Sequence, residues 1–228
     1  MDEAISKEQF LDKKRDFSPL LVHLTRDRTD ENGKSILAFE VLQRILSENE
    51  LKALNPYCIF NSKLRDRGSN LRNKFNVVCF TETPIDQIDL LLQPVYGRDI
   101  KLAPYGLVFT KKDVREYGGN PVLYVRGDLS DPLWNLFNKA AKNDFSEQEN
   151  RLLALVSKCD ESIDFHWERE WRIVGNLTLQ RTEIWTNIYC GLCPEENISY
   201  FENKYRPVKF ISPHWGINKI LDKLVKNK

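Results

Sequence analysis

Three short apolar segments, separated by polar and turn-forming residues, limit the folds that this chain can adopt. They are Leu20–Thr25, Asn76–Thr81 and Tyr105–Thr110. Apolar runs of this length are typical of buried strands, whereas a helix shows a longer stretch with a period of about 3.6 residues. The first segment ends in polar side chains, as does a buried strand that leads into a binding site. The segments therefore predict a sheet with polar groups at a strand end.

Amphipathic segments between these strands predict flanking helices. The helices are predicted at residues 3–16, 35–48, 85–92, 112–117, 131–158, 195–203 and 217–225. Further strands are predicted at 121–125, 170–174, 182–189 and 208–211, and residues 55–76 form a long polar loop. This pattern predicts an α+β fold. A helical extension (residues 1–17) precedes a single domain (residues 18–228) that contains a mixed, mostly antiparallel sheet with helices around it.

The composition is that of an ordinary globular protein, with 41% hydrophobic and 29% charged residues. A net charge of +1 creates no overall field toward nucleic acid or a membrane surface. No run approaches the roughly 18 apolar residues of a membrane helix, and the polar start of the chain does not resemble a secretory signal. Five scattered cysteines, an odd number, favour reduced thiols. These features predict a cytoplasmic protein without membrane contact.

The segment His23-Leu24-Thr25-Arg26 is the first candidate for a functional site. On a strand, His23 and Thr25 share a face. An imidazole and a hydroxyl together can hold a ribose or a carbonyl group by hydrogen bonds without adding charge. The alternative is a core histidine whose ring is satisfied by the backbone.

The segment His166–Arg172 is the second candidate, because acidic and basic residues alternate there with two tryptophans. In an extended strand Glu168, Glu170 and Arg172 share one face. Neighbouring carboxylates repel each other, which raises the pKa of one of them and suits a general base or the stabiliser of a developing cation. An arginine beside them can neutralise a carboxylate or hold a phosphate. The alternative is an exposed strand face with an internal ion pair.

Three other segments contain groups that suit a pocket or a metal site. Thr81 ends a buried strand and can line a pocket, while Glu82 can cap the helix that follows Pro84. Tyr105 offers an aromatic face at a strand start, where Gly106 permits the close approach of a ring or of backbone. The spacing of Cys190-Gly-Leu-Cys193 is that of a metal or redox motif, but a zinc site needs four ligands. No metal site is therefore expected.

Several of these segments, taken in order, resemble the AbiGi-like abortive phage-resistance family. The resemblance lies in HLTR, VVCFTETP, APYGLVFTKKDVREYGGNPVLYV and EREWRIV, and it spans residues 20–212. The order of the parts is also similar, at the level of fold, to ADP-ribosyltransferase toxins, in particular the DNA-modifying group. That resemblance implies an ADP-ribosyltransferase-like fold with NAD as the substrate.

The resemblance to ADP-ribosyltransferases also implies how NAD would be bound. His23 would bind the ribose, with Thr25 and Arg26 beside it. Thr81 or Tyr105 would lie near the nicotinamide ring.

The same resemblance implies a catalytic group. Glu170 would be the catalytic glutamate and Glu168 its helper, and Arg26 or Arg172 would pair with the pyrophosphate of NAD. Cleavage of the bond between nicotinamide and ribose builds positive charge on the sugar, and a carboxylate stabilises that charge.

The sequence thus supports two functions of different classes. The first is an NAD-dependent ADP-ribosyltransferase that modifies a nucleic acid or a protein, in phage defence or beside a cognate toxin or antitoxin partner. The second is a non-enzymatic antitoxin or phage-sensing module of the same fold. A metal-dependent nuclease that uses His166, Glu168 and Glu170 is a weaker third possibility, since the usual nuclease spacing of acidic residues and lysine is missing.

Overall fold

The computed structural model describes residues 17–29, 32–94, 98, 100–142, 146–159, 165–179 and 187–225. The strands in this part of the chain are β1 Leu20–Leu24, β2 Arg28–Thr29, β3 Ser35–Ile36, β4 Glu50–Leu51, β5 Val77–Thr81, β6 Gly106–Thr110, β7 Asn120–Pro121, β8 Leu123–Arg126, β9 Val156–Cys159, β10 Glu170–Val174, β11 Leu177–Thr178, β12 Cys190–Leu192 and β13 Phe210–Ile211. The α-helices are α1 Ala38–Glu48, α2 Asn61–Leu64, α3 Ser69–Asn73, α4 Ile88–Leu92, α5 Lys111–Glu116, α6 Ser130–Lys142, α7 Glu147–Ala154, α8 Ile198–Lys204 and α9 Ile217–Val225.

A central sheet of seven strands has the order β13-β12-β6-β1-β5-β10-β7. All neighbours in it are antiparallel except β12 and β13, which are parallel. Strands β8 and β9 form a separate parallel pair. The predicted α+β fold with a mostly antiparallel sheet and flanking helices is therefore confirmed. In the described part of the chain, no helix is long and apolar enough to cross a membrane.

The sheet buries both of its faces, because side chains on a strand point alternately to opposite sides. The first face carries Leu21, Phe80 and Trp171, which pack in one core with helices α1 and α8. The second face carries Val22 and Val108, which pack with helices α4 and α9. The apolar side of α1 matches its predicted periodicity, since Val41, Leu42, Ile45 and Leu46 are all buried in the first core.

A third core lies on the second face beside β5 and β10, and it corrects the prediction of a polar loop at residues 55–76. Phe60, Leu64 and Phe75 from that segment are fully buried against Phe137 of α6. Helices α2 and α3 form within it. The aromatic residues had no periodic pattern in sequence, so their burial depends on the partner helix.

The predicted helix at residues 131–158 is also wrong at its end. Helix α6 is followed by α7, and the chain then enters strand β9 at Val156. Val156 to Cys159 pairs with Leu123 to Arg126, about thirty residues earlier in the chain. That pairing is a tertiary contact, which the local pattern of apolar residues does not contain.

Three other predictions differ from the structure or lie outside it. The predicted strand at 121–125 is divided between β7, which pairs with β10, and β8, which pairs with β9. The predicted helix at 3–16 and most of the predicted strand at 182–189 lie outside the described residues, and the strand seen there begins at Cys190.

Gly106, the first residue of β6, lies where there is no space for a side chain. Gly106 lies opposite Leu24 in the ladder between β6 and β1. A Cβ atom added there would overlap the main-chain oxygen of His23. The close approach of backbone that was predicted at this glycine is confirmed.

Gly106→Ala is expected to lower the free energy of unfolding by about 2 kcal/mol, because backbone and not a flexible side chain must move. Gly216→Ala is the matched control, since an added Cβ there meets no atom within 4 Å, and a change below about 0.5 kcal/mol is expected. Urea denaturation of both variants measures the difference. Equal effects of the two substitutions would contradict the overlap at Gly106.

Candidate functional site

A cavity of about 950 Å³ lies on the second face of the sheet, over β1, β5 and β10. It occupies the space between the core around α4 and the core around α6. Most of the cavity wall is apolar or neutral, and a smaller set of ionisable residues lines it. These are His23, Arg26, Asp27, Arg28, Lys52, Tyr57, Cys58, Cys79, Arg98, Tyr124, Lys158, Glu168, Glu170 and Arg172.

Glu170 and Arg172 reach the cavity from β10, as the alternation of the strand predicted. They pair with Thr81 and Cys79 on β5, so both side chains lie on the second face. Trp171 between them points to the first face and is buried in the opposite core. The prediction that Glu170 and Arg172 share one face of this strand is confirmed.

Arg172 is fully engaged by protein groups and neutralises a carboxylate, which is one of its two predicted roles; binding of a phosphate stays a prediction. Its residue surface is only 2% exposed. Its Nε and Nη2 donate to the two carboxylate oxygens of Glu170 at 2.9 and 2.8 Å. Nη2 also donates to Ser157 Oγ and Nη1 to the carbonyl of Ala154. Burial disfavours the charge of Arg172, but Glu170 outweighs burial and the pKa of Arg172 is raised.

Glu168 lines the same cavity, although it does not lie on the strand as predicted. His166–Glu168 form a turn of 3-10 helix, and Arg169 follows in the left-handed region with φ of 49°. The closest described cation to Glu168 is Arg98, with Nη1 at 3.6 Å from Oε1. Burial, and then the charge of Glu170, raise the pKa of Glu168 above its ordinary value. The two carboxylates therefore differ: Glu170 is tightly ion-paired, whereas Glu168 is more loosely held and its pKa is raised.

The segment Thr81-Glu82-Thr83 holds this left-handed turn in place. Thr81 Oγ1 donates to the carbonyl of Glu168 at 2.6 Å, and the main-chain N–H of Glu82 donates to the carbonyl of Arg169 at 3.2 Å. Thr81 was predicted to bind the cofactor. It lines the cavity, but its hydroxyl is committed to Glu168 and Thr83, so it positions a carboxylate.

The carboxylate of Glu82 lies on the opposite side of the sheet. It was predicted to cap the next helix, but it does not. It accepts from Trp171 Nε1 at 2.8 Å and pairs with Arg169 at 3.0 Å and with Lys111 at 2.7 Å. Glu82 and Lys111 are both buried, so each charge needs the other. These contacts fix the path of the chain between Glu168 and Glu170.

His23 lines the cavity where β1 and β5 separate. Only Val22 and Thr81 are paired between these two strands. Beyond that pair, His23 Nδ1 lies 2.8 Å from the carbonyl oxygen of Cys79. A carbonyl can only accept, so Nδ1 carries the hydrogen and donates. Burial lowers the pKa of His23 to about 4, so the ring is neutral at physiological pH. The backbone therefore satisfies His23, as the alternative predicted, and the residue also lines the cavity; binding of a ribose stays a prediction.

Thr25 and Tyr105 do not line the cavity among the described residues, which corrects their predicted roles. Strand β1 ends at Leu24, so Thr25 no longer shares a face with His23. Thr25 is 1% exposed, and its hydroxyl lies 3.1 Å from the carbonyl oxygen of Tyr105. Tyr105 packs against Phe39 and Phe201 at the first core. Both residues support the structure and do not face a ligand.

Two arginines, Arg26 and Arg28, lie four and six residues after Val22 and also line the cavity. Arg26 was predicted to bind the cofactor, and its Nη2 donates to the hydroxyl of Tyr57 at 2.9 Å. Arg28 has no ion pair with any described residue. Burial, and then the charge of Arg26, lower the pKa of Arg28. An anionic ligand would relieve this repulsion.

The cavity residues that sequence did not single out include Arg28, Tyr57, Arg98 and Tyr124. Arg28 follows Arg26 by two residues, but both lie beyond the end of β1, so strand alternation did not indicate it. The other three come from segments far apart in sequence, and only the fold brings them to one site. The hydroxyl of Tyr124 donates to the carbonyl of Phe165 at 3.3 Å, and burial raises its pKa.

Cys190 and Cys193 do not form a metal site. Cys190 is buried in the core of the second face and Cys193 in the core of the first, so their thiols point to opposite sides of the sheet. Burial raises the pKa of Cys193 to about 12, which keeps it protonated. Within the described ranges, no three His, Cys, Asp or Glu residues are grouped as metal ligands.

Glu170→Gln is expected to lower the free energy of unfolding by about 2–3 kcal/mol, because it leaves the buried guanidinium of Arg172 without its counter-charge. Glu168→Gln is the matched control. The raised pKa of Glu168 means that its charge is disfavoured in the folded protein, so this variant is expected to be as stable as the wild type or more stable at neutral pH. Thermal and urea denaturation compare the two. A larger loss for Glu168→Gln would contradict this assignment.

Protonation of His23 is expected to destabilise the protein in mild acid. The folded pKa of about 4 is below the unfolded value of 6.5, so the contribution is complete above pH 6.5 and decreases as the pH falls toward 4. The decrease amounts to about 3 kcal/mol at its limit.

His23→Asn tests this expectation, because the Asn amide can donate to Cys79 without titrating. The free energy of unfolding of the variant should vary less between about pH 6.5 and pH 4 than that of the wild type. His214→Asn, at an exposed turn, should leave the wild-type dependence intact. An unchanged dependence in His23→Asn would refute the role of His23.

Comparisons with known proteins do not identify a relative of this chain. No family model, no curated protein and no solved structure matches it. The function of the cavity is therefore inferred from its own residues, which include two unlike carboxylates and a pair of arginines.

Proposed function

We propose that this protein is an NAD-dependent ADP-ribosyltransferase that modifies a macromolecular acceptor. The observation that carries the proposal is that Glu168, Glu170, Arg26 and Arg28 line one cavity. A volume of about 950 Å³ is large enough for a dinucleotide. The resemblance to abortive phage-resistance proteins supports a role in phage defence or in a toxin–antitoxin pair, in the cytoplasm, with a nucleic acid or a protein as the acceptor.

The arginine pair suits the pyrophosphate of NAD. Guanidinium groups bind phosphate oxygens through paired hydrogen bonds, and their attraction grows where water is excluded. Arg26 keeps one contact to Tyr57, and Arg28 faces the cavity without a described counter-charge. His23 is neutral and presents Nε2 as an acceptor for a ribose hydroxyl, since Nδ1 donates to Cys79.

The two carboxylates suit different steps of ribosyl transfer. The bond between ribose C1′ and the nicotinamide nitrogen breaks, and its electron pair leaves with nicotinamide. Glu170 is fixed by Arg172, so it can stand close to the positive charge that develops on the ribose without moving. The acceptor atom bonds to C1′ and loses its proton to Glu168, whose raised pKa makes it the stronger base.

A non-enzymatic binding module is the second candidate, and the ion pair of Glu170 favours it. Both carboxylate oxygens of Glu170 accept hydrogen bonds from Arg172, which withdraws part of their charge from the cavity. A protein that binds a dinucleotide without cleaving it, or that senses a phage product, would need no freer carboxylate. Binding without turnover separates this candidate from the enzyme.

Glu168→Gln tests the catalytic proposal, because this change preserves shape and stability. The full-length protein is incubated with NAD and host extract, and free nicotinamide is measured by chromatography. We expect release by the wild type, and a loss of about 10²- to 10⁴-fold in Glu168→Gln, the usual contribution of a general base. Binding of NAD, measured by calorimetry, should change little.

Glu116→Gln is the control, since Glu116 lies on the exposed part of α5 outside the cavity. It should release nicotinamide at the wild-type rate. A wild-type protein that binds NAD but releases no nicotinamide supports the binding module. A protein that does not bind NAD at all refutes both uses of the dinucleotide.

A further inference from the structure

Arg98 enters the cavity close to Glu168, from the segment after α4, and only part of its guanidinium is occupied. The side chain is 6% exposed. Nη2 donates to the carbonyls of Leu91 and Gln93 at 2.6 and 2.8 Å, which fixes the plane of the group. Arg98 is therefore a rigid, buried cation at the wall of the cavity.

Two nitrogen atoms of this guanidinium have no hydrogen-bond partner. They are Nε and Nη1, both inaccessible to bulk solvent in the described structure. The 3.6 Å between Nη1 and Glu168 Oε1 is too long for a hydrogen bond. Donors buried without partners cost free energy, particularly on a charged group. Nε and Nη1 therefore lack an acceptor, in a side chain that lines the wall of the cavity.

The missing acceptor is best supplied by an oxyanion. Two adjacent guanidinium nitrogens match the spacing of two oxygens on a phosphate or a carboxylate group. An ionised Glu168 would repel such a ligand, whereas a protonated Glu168 would donate a hydrogen bond to it. The charged and titratable groups that face Glu168 in the described structure are Arg98, Glu170, Arg172 from β10 and Tyr124 from β8.

We propose that Arg98 and the protonated form of Glu168 together bind an oxyanion, of phosphate or carboxylate type, at a subsite separate from the arginine pair Arg26 and Arg28. The site rests on the cavity being a ligand site and not on ribosyl transfer, since anion binding breaks no bond. A ligand, or a pair of ligands, that fills the cavity then carries two anionic groups. One lies beside Arg98, and the other lies beside Arg26 and Arg28.

Sulfate is the probe for this subsite, because its charge does not change in the range of pH that matters. The full-length protein is titrated with sulfate by calorimetry at about pH 5.5 and about pH 8, because the raised pKa of Glu168 means that more of this carboxyl group is protonated at the lower pH. We expect the affinity of the wild type to be higher at the lower pH. Formate, which also stays ionised, replaces sulfate in a second titration, and the tighter ligand identifies the kind of oxyanion.

Three variants make the test specific. Arg98→Met should weaken the pH-dependent binding about tenfold or more, the equivalent of one lost charge-assisted contact. Arg28→Met, which removes a different cation of the cavity wall, should keep the pH-dependent part. Glu168→Gln mimics the protonated carboxyl group, so it should bind sulfate at the higher pH as tightly as the wild type does at the lower pH.

Each result decides the proposal. Wild-type binding that does not depend on pH, or that survives intact in Arg98→Met, overturns it. If Arg98→Met does not fold, Glu168→Gln decides alone, since only a site beside Glu168 gains affinity at the higher pH. Sulfate binding of the expected kind without any release of nicotinamide from NAD would retain this subsite and reject ribosyl transfer.

Discussion

The buried guanidinium of Arg172 joins three separate parts of the structure at one point. It donates hydrogen bonds to the carboxylate of Glu170 on β10, to the carbonyl of Ala154 at the end of α7 and to the hydroxyl of Ser157 on β9. A charge that is 2% exposed is stable only when its hydrogen bonds are complete. Helix α7 and the β8–β9 pair are therefore attached to strand β10 of the sheet at this position. The sheet surface between that attachment and α4 stays open as the cavity.

The acidic residues around β10 differ in function because they differ in their partners. Glu82 on the first face is satisfied by Lys111, Arg169 and Trp171, and it holds the left-handed turn at Arg169. Glu170 on the second face is satisfied by Arg172. Within the described residues, Glu168 has one ion pair, the longer contact to Arg98, and its pKa is raised. Burial disfavours a charged carboxylate, and close ion pairs offset this cost at Glu82 and Glu170.

Local patterns predicted most of the central sheet and part of the site. The apolar runs at β1, β5, β6 and β10 were long enough to identify strands, and alternation on β10 placed Glu170 and Arg172 together. Alternation failed at Glu168 and at Thr25, because each lies just beyond the end of its strand. The rule applies only where the backbone stays extended.

Sequence alone determined that this chain forms a sheet with helices around it, and that its charged groups concentrate at two strand ends. Those properties follow from the spacing of apolar residues, which is local. Only the tertiary structure decided which charges are free. The guanidinium of Arg172 is ion-paired with Glu170. Two nitrogen atoms of Arg98 have no described hydrogen-bond partner, and Arg28 has no described ion pair. The free energy of a buried charge depends on the atoms packed around it, and those atoms come from segments far apart in the chain.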